Sequence, residues 1–393
     1  MSNLGIAHRQ NGRLDEAVAC FRQAERLEPL NPTWRLHCAN ALVEQGAVAE
    51  GLAHLERLLA DDPAHPEAHW QRAYALLLQG RFEQAWPDYA WRWRCPGFPS
   101  RRLPTPQPAW DGRSPCRRLL LWGEQGLGDE VMLTGLIPEA VRWLAEQGVE
   151  PALLVDERLV SLLRRTWGDL PVHPWPTPLE ALKCDQHLPL GDLCPPLRPD
   201  AASFANIPTP WLRADPARAS ALTAARPRTG ALRCGVSWRS DASVLGTGKS
   251  IPLAALAEAV ALPGVELVSL QYGPVEAELA ALRQATGIVV QRVTGLDCRH
   301  DLEGLAALIE SCDLVITISN ATAHLSGALG ATTWLVLQTV PYWPWQLAGE
   351  TSLWYGSLRL FRQRRAGDWR EPLAALGRAL AHRIEGGPAA GCH

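Results

Sequence analysis

Apolar positions follow two different rhythms along this chain. Up to about residue 95 they recur at helical spacing, as Ala17, Phe21 and Ala24 do, then Leu55 and Leu58, then Ala73 and Leu76. Beyond residue 116, short unbroken apolar runs alternate with helical stretches. The runs predict strands over 118–122, 151–156, 185–190, 233–239, 265–271, 288–290, 314–318, 334–337 and 359–363. Between them the spacing predicts helices over 133–144, 159–163, 305–309 and 321–329, with an alanine-rich closing helix over 372–384 that would return to the first half. Strands alternating with helices predict parallel sheets.

The segment 313–334 is the most informative. Leu314-Val315-Ile316-Thr317-Ile318 reads as a buried strand, Ser319-Asn320 are good N-cap residues, and Gly330 stands where a helix ends. A helix starting at the carboxyl edge of a parallel sheet presents unpaired N–H groups and a positive dipole end, which suits a phosphate. A second strand–turn–helix unit starts at Arg118, with Gly123-Glu124-Gln125-Gly126-Leu127-Gly128-Asp129-Glu130 as its turn. Two glycines there are weak by themselves, and neither a Walker lysine nor a full dinucleotide fingerprint follows, which disfavours an oxidoreductase.

Gly12, Gly46 and Gly80 are 34 residues apart (46 − 12, 80 − 46), and Pro29 and Pro63 keep the step (63 − 29). That period is the tetratricopeptide repeat, one antiparallel helix pair per unit. Leu4, Gly5, Ala17, Phe21 and Ala24 fall on its packing positions in the first unit, whose first helix reads as clipped at Met1. Trp86, Tyr89 and Trp93 share one face of the last repeat helix, either burying against the next domain or forming an aromatic platform for an acceptor. The expected domains are repeats over 1–95, a proline-rich linker over 96–115, a Rossmann-like half over 116–213, a hinge over 214–231, a second half over 232–385 and a tail over 386–393.

Composition removes some classes. A net charge of −3 points away from nucleic acid and from anionic membranes as main partners. No two of the ten cysteines have Cys-x-x-Cys spacing, so neither a zinc motif nor a disulfide framework is indicated. The polar N-terminus and the absence of an 18-residue apolar run make a reducing cytoplasm the expected compartment.

The run Ser319-Asn320-Ala321-Thr322-Ala323-His324-Leu325-Ser326-Gly327-Ala328-Leu329-Gly330 resembles the donor-binding segment of the ADP-heptose:lipopolysaccharide heptosyltransferase family, glycosyltransferase family nine, and its repeat-fused relatives. An Asp-Thr pair usually stands in the family where Ser319-Asn320 stand here. Gly126-Leu127-Gly128-Asp129 is similar to the family loop whose aspartate is the catalytic base, and Lys249-Ser250-Ile251-Pro252-Leu253 to its pyrophosphate-binding segment. The resemblance implies a glycosyltransferase B fold of two Rossmann-like domains behind the repeats. It implies inverting transfer from a nucleotide-diphosphate sugar, with Asp129 as base and with Gln125, Gly126 and Gly128 as the acceptor-side loop. A plain N-terminal cap is the other reading of Asp129. Lys249 and Arg239 would be the cations, and Ser319, Asn320, Ala321 and Thr322 the diphosphate and sugar contacts. His324 would touch the donor or pack, and Gln271, Tyr272 and Glu276 lie where relatives contact the nucleoside. The aromatic loop Pro341-Tyr342-Trp343-Pro344-Trp345 folds over a base or sugar, or packs its own loop down. No metal or other cofactor is expected, because the chain lacks any Asp-x-Asp triplet. The expected partners are a nucleotide-diphosphate sugar, a protein or glycan acceptor and a protein held by the repeats. The rival readings are a core-oligosaccharide heptosyltransferase with a repeat adaptor, and an inactive transferase fold acting as a scaffold through its repeats.

Overall fold

The computed structural model describes residues 2–226, 229–241 and 246–386. The chain forms two compact units: one from residues 2–99 with Cys194–Phe204 and Thr339–Gly349, the other from Ser100–Leu193, Ala205–Gln338 and the chain from Glu350 onward. Cys392 and His393 lie outside the described residues.

The first unit begins with helices α1 (Ser2–Gln10), α2 (Leu14–Leu27), α3 (Pro32–Gln45), α4 (Val48–Asp61), α5 (Pro66–Leu78) and α6 (Phe82–Tyr89). The periodic glycines are its turns: Gly12, Gly46 and Gly80 have φ of 71°, 98° and 71°, which only glycine adopts without strain. Small residues set the helix spacing, since a Cβ on Gly51 would sit 2.7 Å from Val43 Cγ2 and one on Gly5 2.7 Å from a Phe21 ring carbon. Ala17, Phe21, Cys38 and Leu42 close a core between these helices. Leu4 departs from the expected packing and is 51% exposed, because among the described residues no neighbour covers the outer side of α1.

Trp86 and Tyr89 are buried within this unit. Trp86 donates its indole N–H to the Arg198 carbonyl at 2.7 Å and meets Trp343 edge to face at 6.2 Å. The aromatic loop therefore packs down with the repeats. Trp343 and Trp345 are 2% and 0% exposed, and Leu347 N–H bonds to the Leu78 carbonyl at 3.1 Å. Local pattern could not assign this excursion, because its partners are more than 250 residues earlier in the chain.

The second unit holds two parallel sheets. Strands β1 (Arg118–Trp122), β2 (Glu150–Val155), β3 (Val172–Pro174) and β4 (Gln186–Pro189) run in the order β3-β2-β1-β4. Strands β5 (Leu232–Val236), β6 (Val265–Ser269), β7 (Val290–Gln291), β8 (Leu314–Ile318), β9 (Thr333–Leu337) and β10 (Leu358–Arg362) run in the order β10-β9-β8-β5-β6-β7. Counted within its own lobe, the second order is that of a dinucleotide-type sheet. Each lobe reverses direction beside its first strand, so crevices open at the carboxyl ends of β1/β4 and of β5/β8. The expected fold class, repeats followed by two Rossmann-like sheets, is the one present.

The closing helix is a correction. Arg370–Glu385 does not return to the first lobe: Leu373, Leu376 and Leu380 join the core of the second sheet with Val236, Ile316 and Val260. Its apolar stripe matches that sheet's open flank, where Gly377 comes so near that a Cβ would lie 2.8 Å from the Ala259 carbonyl oxygen. Among the described residues no helix is long and apolar enough to cross a membrane.

Candidate functional site

At the β1/β4 crevice, β1 runs into the turn 123–126 and then α7 (Leu127–Thr134). Gln125 takes a left-handed φ of 64° to make that turn, with its N–H on Ser100 Oγ at 3.0 Å. Asp129 is the third residue of α7, and its carboxylate accepts the Gly126 N–H at 3.1 Å. The aspartate therefore caps its own helix, which fixes its position. The next residue, Glu130, is buried under the turn. Its carboxylate accepts the Asp156 N–H at 2.8 Å and leaves no room for a side chain on Gly123.

At the β5/β8 crevice, Asn320 caps the Ala321–Ala328 helix by accepting the Ala323 N–H at 3.3 Å. Its amide donates to Ser237 Oγ at 2.8 Å and to the Arg239 carbonyl at 3.4 Å. Gln271 completes this buried knot: its Oε1 accepts from Ser237 Oγ and from the N–H groups of Trp238 and Arg239 at 2.9–3.1 Å. Asn320 and Gln271 therefore brace the crevice with their side chains instead of presenting them to it. Ser319 is buried beside them.

The two crevices meet helix to helix. A Cβ on Gly128 would lie 2.9 Å from His324 Cδ2 and 3.6 Å from Ala321 Cα, so glycine permits this approach. His324 is buried, with Nδ1 2.7 Å from the Tyr355 hydroxyl. Burial, assisted by the Lys249 charge, pushes its pKa down to about 3, so it is neutral. Burial lowers the Lys249 pKa while the negative charge of Asp129 opposes that shift. Burial raises the Tyr355 pKa, and Asp129 adds to it. Asp129 from one lobe thus shares an electrostatic neighbourhood with Lys249 and Tyr355 from the other.

Beside this contact lies a cavity of about 810 Å³. Gln125, Leu127 and Glu130 line it from the first lobe, and Tyr272, Ala321 and Thr322 from the second, with Arg158 and Arg299 on its walls. Thr322 Oγ1 is buried and has no hydrogen-bond partner among the described residues. The first N–H groups of the helix carrying it have no intrahelical acceptor. Arg158 crosses to the carbonyl of Arg299 at 3.0 Å while pairing with Asp156 at 2.6 Å. Tyr272 has the Arg299 guanidinium 5.2 Å from its ring centre.

Asp129, Lys249, Ser319, Asn320 and His324 do not line that cavity; neither do Gln271, Glu276 and Arg239. Arg239 donates to the Pro274 carbonyl at 2.7 Å and sits between Asp241 and Glu278, at 3.5 and 3.6 Å. Glu276 is exposed, pairs with Arg292 and caps its own helix through the Val275 N–H at 2.9 Å. Sequence reasoning did not single out Glu130 or Arg158. Arg158 stands just past the end of β2, where crevice residues collect.

Burial pushes Glu130 up to about 8 from 4.5. Between those values the unfolded chain ionises while folded Glu130 keeps its proton, so its contribution to stability falls as pH rises. Comparing Glu130→Gln with the parent by denaturant titration should show the parent losing about 1 kcal/mol more between about pH 6 and pH 7.

Residues 2–53 and 39–93 match a family model described as tetratricopeptide repeat, so the first part of the chain consists of such repeats. Over 384 residues the chain is 30% identical to Protein FlbA of Caulobacter vibrioides, covering 93% of this chain and 64% of that protein. It therefore spans less than two thirds of that relative's length. Among solved structures, it is similar to E. coli ADP-heptose lps heptosyltransferase II, at 12% identity over 68% of this chain and 99% of the other, with a TM-score of 0.49. The glycosyl transferase family 9 protein of Veillonella parvula matches at 10% identity, 69% and 96% coverage, and a TM-score of 0.47.

Proposed function

We propose that this tetratricopeptide-repeat chain is an inverting, metal-independent glycosyltransferase that takes a sugar from a nucleotide-diphosphate donor. One observation carries the reading: α7, whose start holds the Asp129 carboxylate, approaches Ala321 and His324 of the second lobe at Gly128, and the Asp129 charge acts on Lys249. The diphosphate would lie at the start of the Ala321–Ala328 helix, between Lys249 and the Thr322 hydroxyl. Asp129 would take the proton from the acceptor hydroxyl as its oxygen attacks the anomeric carbon and the bond to the diphosphate breaks. Lys249 and the helix N–H groups would stabilise the charge that develops on the leaving group. A protonated Glu130 in the cavity wall would spare a bound anion a like-charge neighbour. The repeats would recruit the acceptor or a partner protein. The free thiols fit a reducing, cytoplasmic setting.

A second reading, an inactive scaffold, draws support from Ser319 and Asn320, which are buried, with the Asn320 amide committed to Ser237. Labelled sugar nucleotides incubated with the protein and a chelator separate the two. Transfer or hydrolysis of at least one donor, with inverted product, is expected from the first reading. Complete inertness across the common donors would leave the second.

A further inference from the structure

Glu25, Cys38 and His54 come from three successive repeat helices, α2, α3 and α4. Their separations in sequence, 13 and 16 residues (38 − 25, 54 − 38), match no short metal motif. In the fold, one carboxylate oxygen, the sulfur and an imidazole nitrogen all lie within 4.8 Å of one another. Cys38 has no exposed surface and His54 is 6% exposed. His54 Nδ1 stands 3.5 Å from Glu25 Oε2, and this buried nitrogen has no hydrogen-bond partner among the described residues. That distance is too long for a good N–H···O bond. An unpartnered nitrogen, a sulfur and a carboxylate oxygen thus converge.

We infer that this triad is a divalent metal site of the zinc class, with three protein ligands and water in the fourth position. The donor set decides the metal. A thiolate with an imidazole and a carboxylate suits zinc, whereas calcium and magnesium take oxygen shells. Bond lengths of about 2.0–2.3 Å put tetrahedral ligands roughly 3.3–3.7 Å apart, so the side chains close by about 1 Å on binding. Arg35 Nε holds the other Glu25 oxygen at 3.2 Å, which orients the carboxylate as an outer partner does. The neighbouring Arg22 is paired with Glu50. Binding converts the Cys38 thiol to a thiolate and releases its proton to solvent. The ion would tie the first repeat, which carries Glu25, to the second, which carries Cys38 and His54, in an array near the minimum repeat number for stability.

The test uses the full chain, stripped with a chelator, loaded with zinc chloride and dialysed, in parent and Cys38→Ser, His54→Gln, Glu25→Gln and Cys20→Ser forms. Metal content, a cobalt(II) spectrum and melting temperature are read, with circular dichroism to confirm folding. The parent and Cys20→Ser should retain about one zinc per chain and melt roughly 3 °C or more higher with it. Cobalt should give a thiolate charge-transfer band in both. The folded triad variants should lose all three signals. Should Cys38→Ser fail to fold, His54→Gln and Glu25→Gln carry the same comparison. A parent that retains no zinc, or triad variants that retain it as well as the parent, would overturn the assignment.

Discussion

Asp129→Asn should leave donor affinity within about twofold of the parent and lower turnover at least ~100-fold, the lower end for a general base. The fold should survive, because an asparagine oxygen can still accept the Gly126 N–H that holds residue 129 at the start of α7. What disappears is the site for the acceptor proton at the moment the hydroxyl attacks. Initial rates and donor affinity measured on the same preparations check this. A variant that keeps its turnover removes Asp129 from the base role and leaves it the cap it also is. A variant that loses donor binding would place the residue in the donor seat.

Trp343→Ala should destabilise the repeat unit by about 3–5 kcal/mol, the usual range for emptying a buried tryptophan site. The ring is 2% exposed and meets Trp86 edge to face, and Trp86 in turn bonds to the Arg198 carbonyl. The variant therefore loosens an excursion of the later chain from the helices that bury it. Denaturant unfolding followed by tryptophan fluorescence reads the loss. A change under about 1 kcal/mol would mean that Thr339–Gly349 is not part of the repeat unit's core.

What could be read beforehand divides by range of interaction. Leu314–Ile318 announces itself as a buried strand by five consecutive apolar or β-branched residues, and the structure begins and ends it at those positions. The 34-residue glycines were legible because a left-handed turn demands glycine wherever it recurs. Asp129 was singled out in the sequence through the run Gly126-Leu127-Gly128-Asp129 and its family resemblance, and the reason for Gly128 emerges only when His324 arrives from nearly 200 residues away. Asn320 and Gln271 were expected at the donor through the family resemblance alone. Their commitment to Ser237 is a tertiary fact that no local pattern carries. Glu130 gave no sign because a buried carboxyl is defined by what covers it, here the Gly123 turn and the Asp156 N–H. Arg239, expected as a second cation, donates to the Pro274 carbonyl, a contact that no local pattern marks.

Calorimetric titration of nucleoside diphosphates into the parent and Lys249→Ala, both in chelator, tests the donor seat most directly. The account predicts that at least one diphosphate binds the parent one to one, and that the variant binds it roughly 10–100-fold more weakly, the worth of one charge-assisted contact. Equal affinity in the two proteins, or no binding to the parent by any of them, would contradict it.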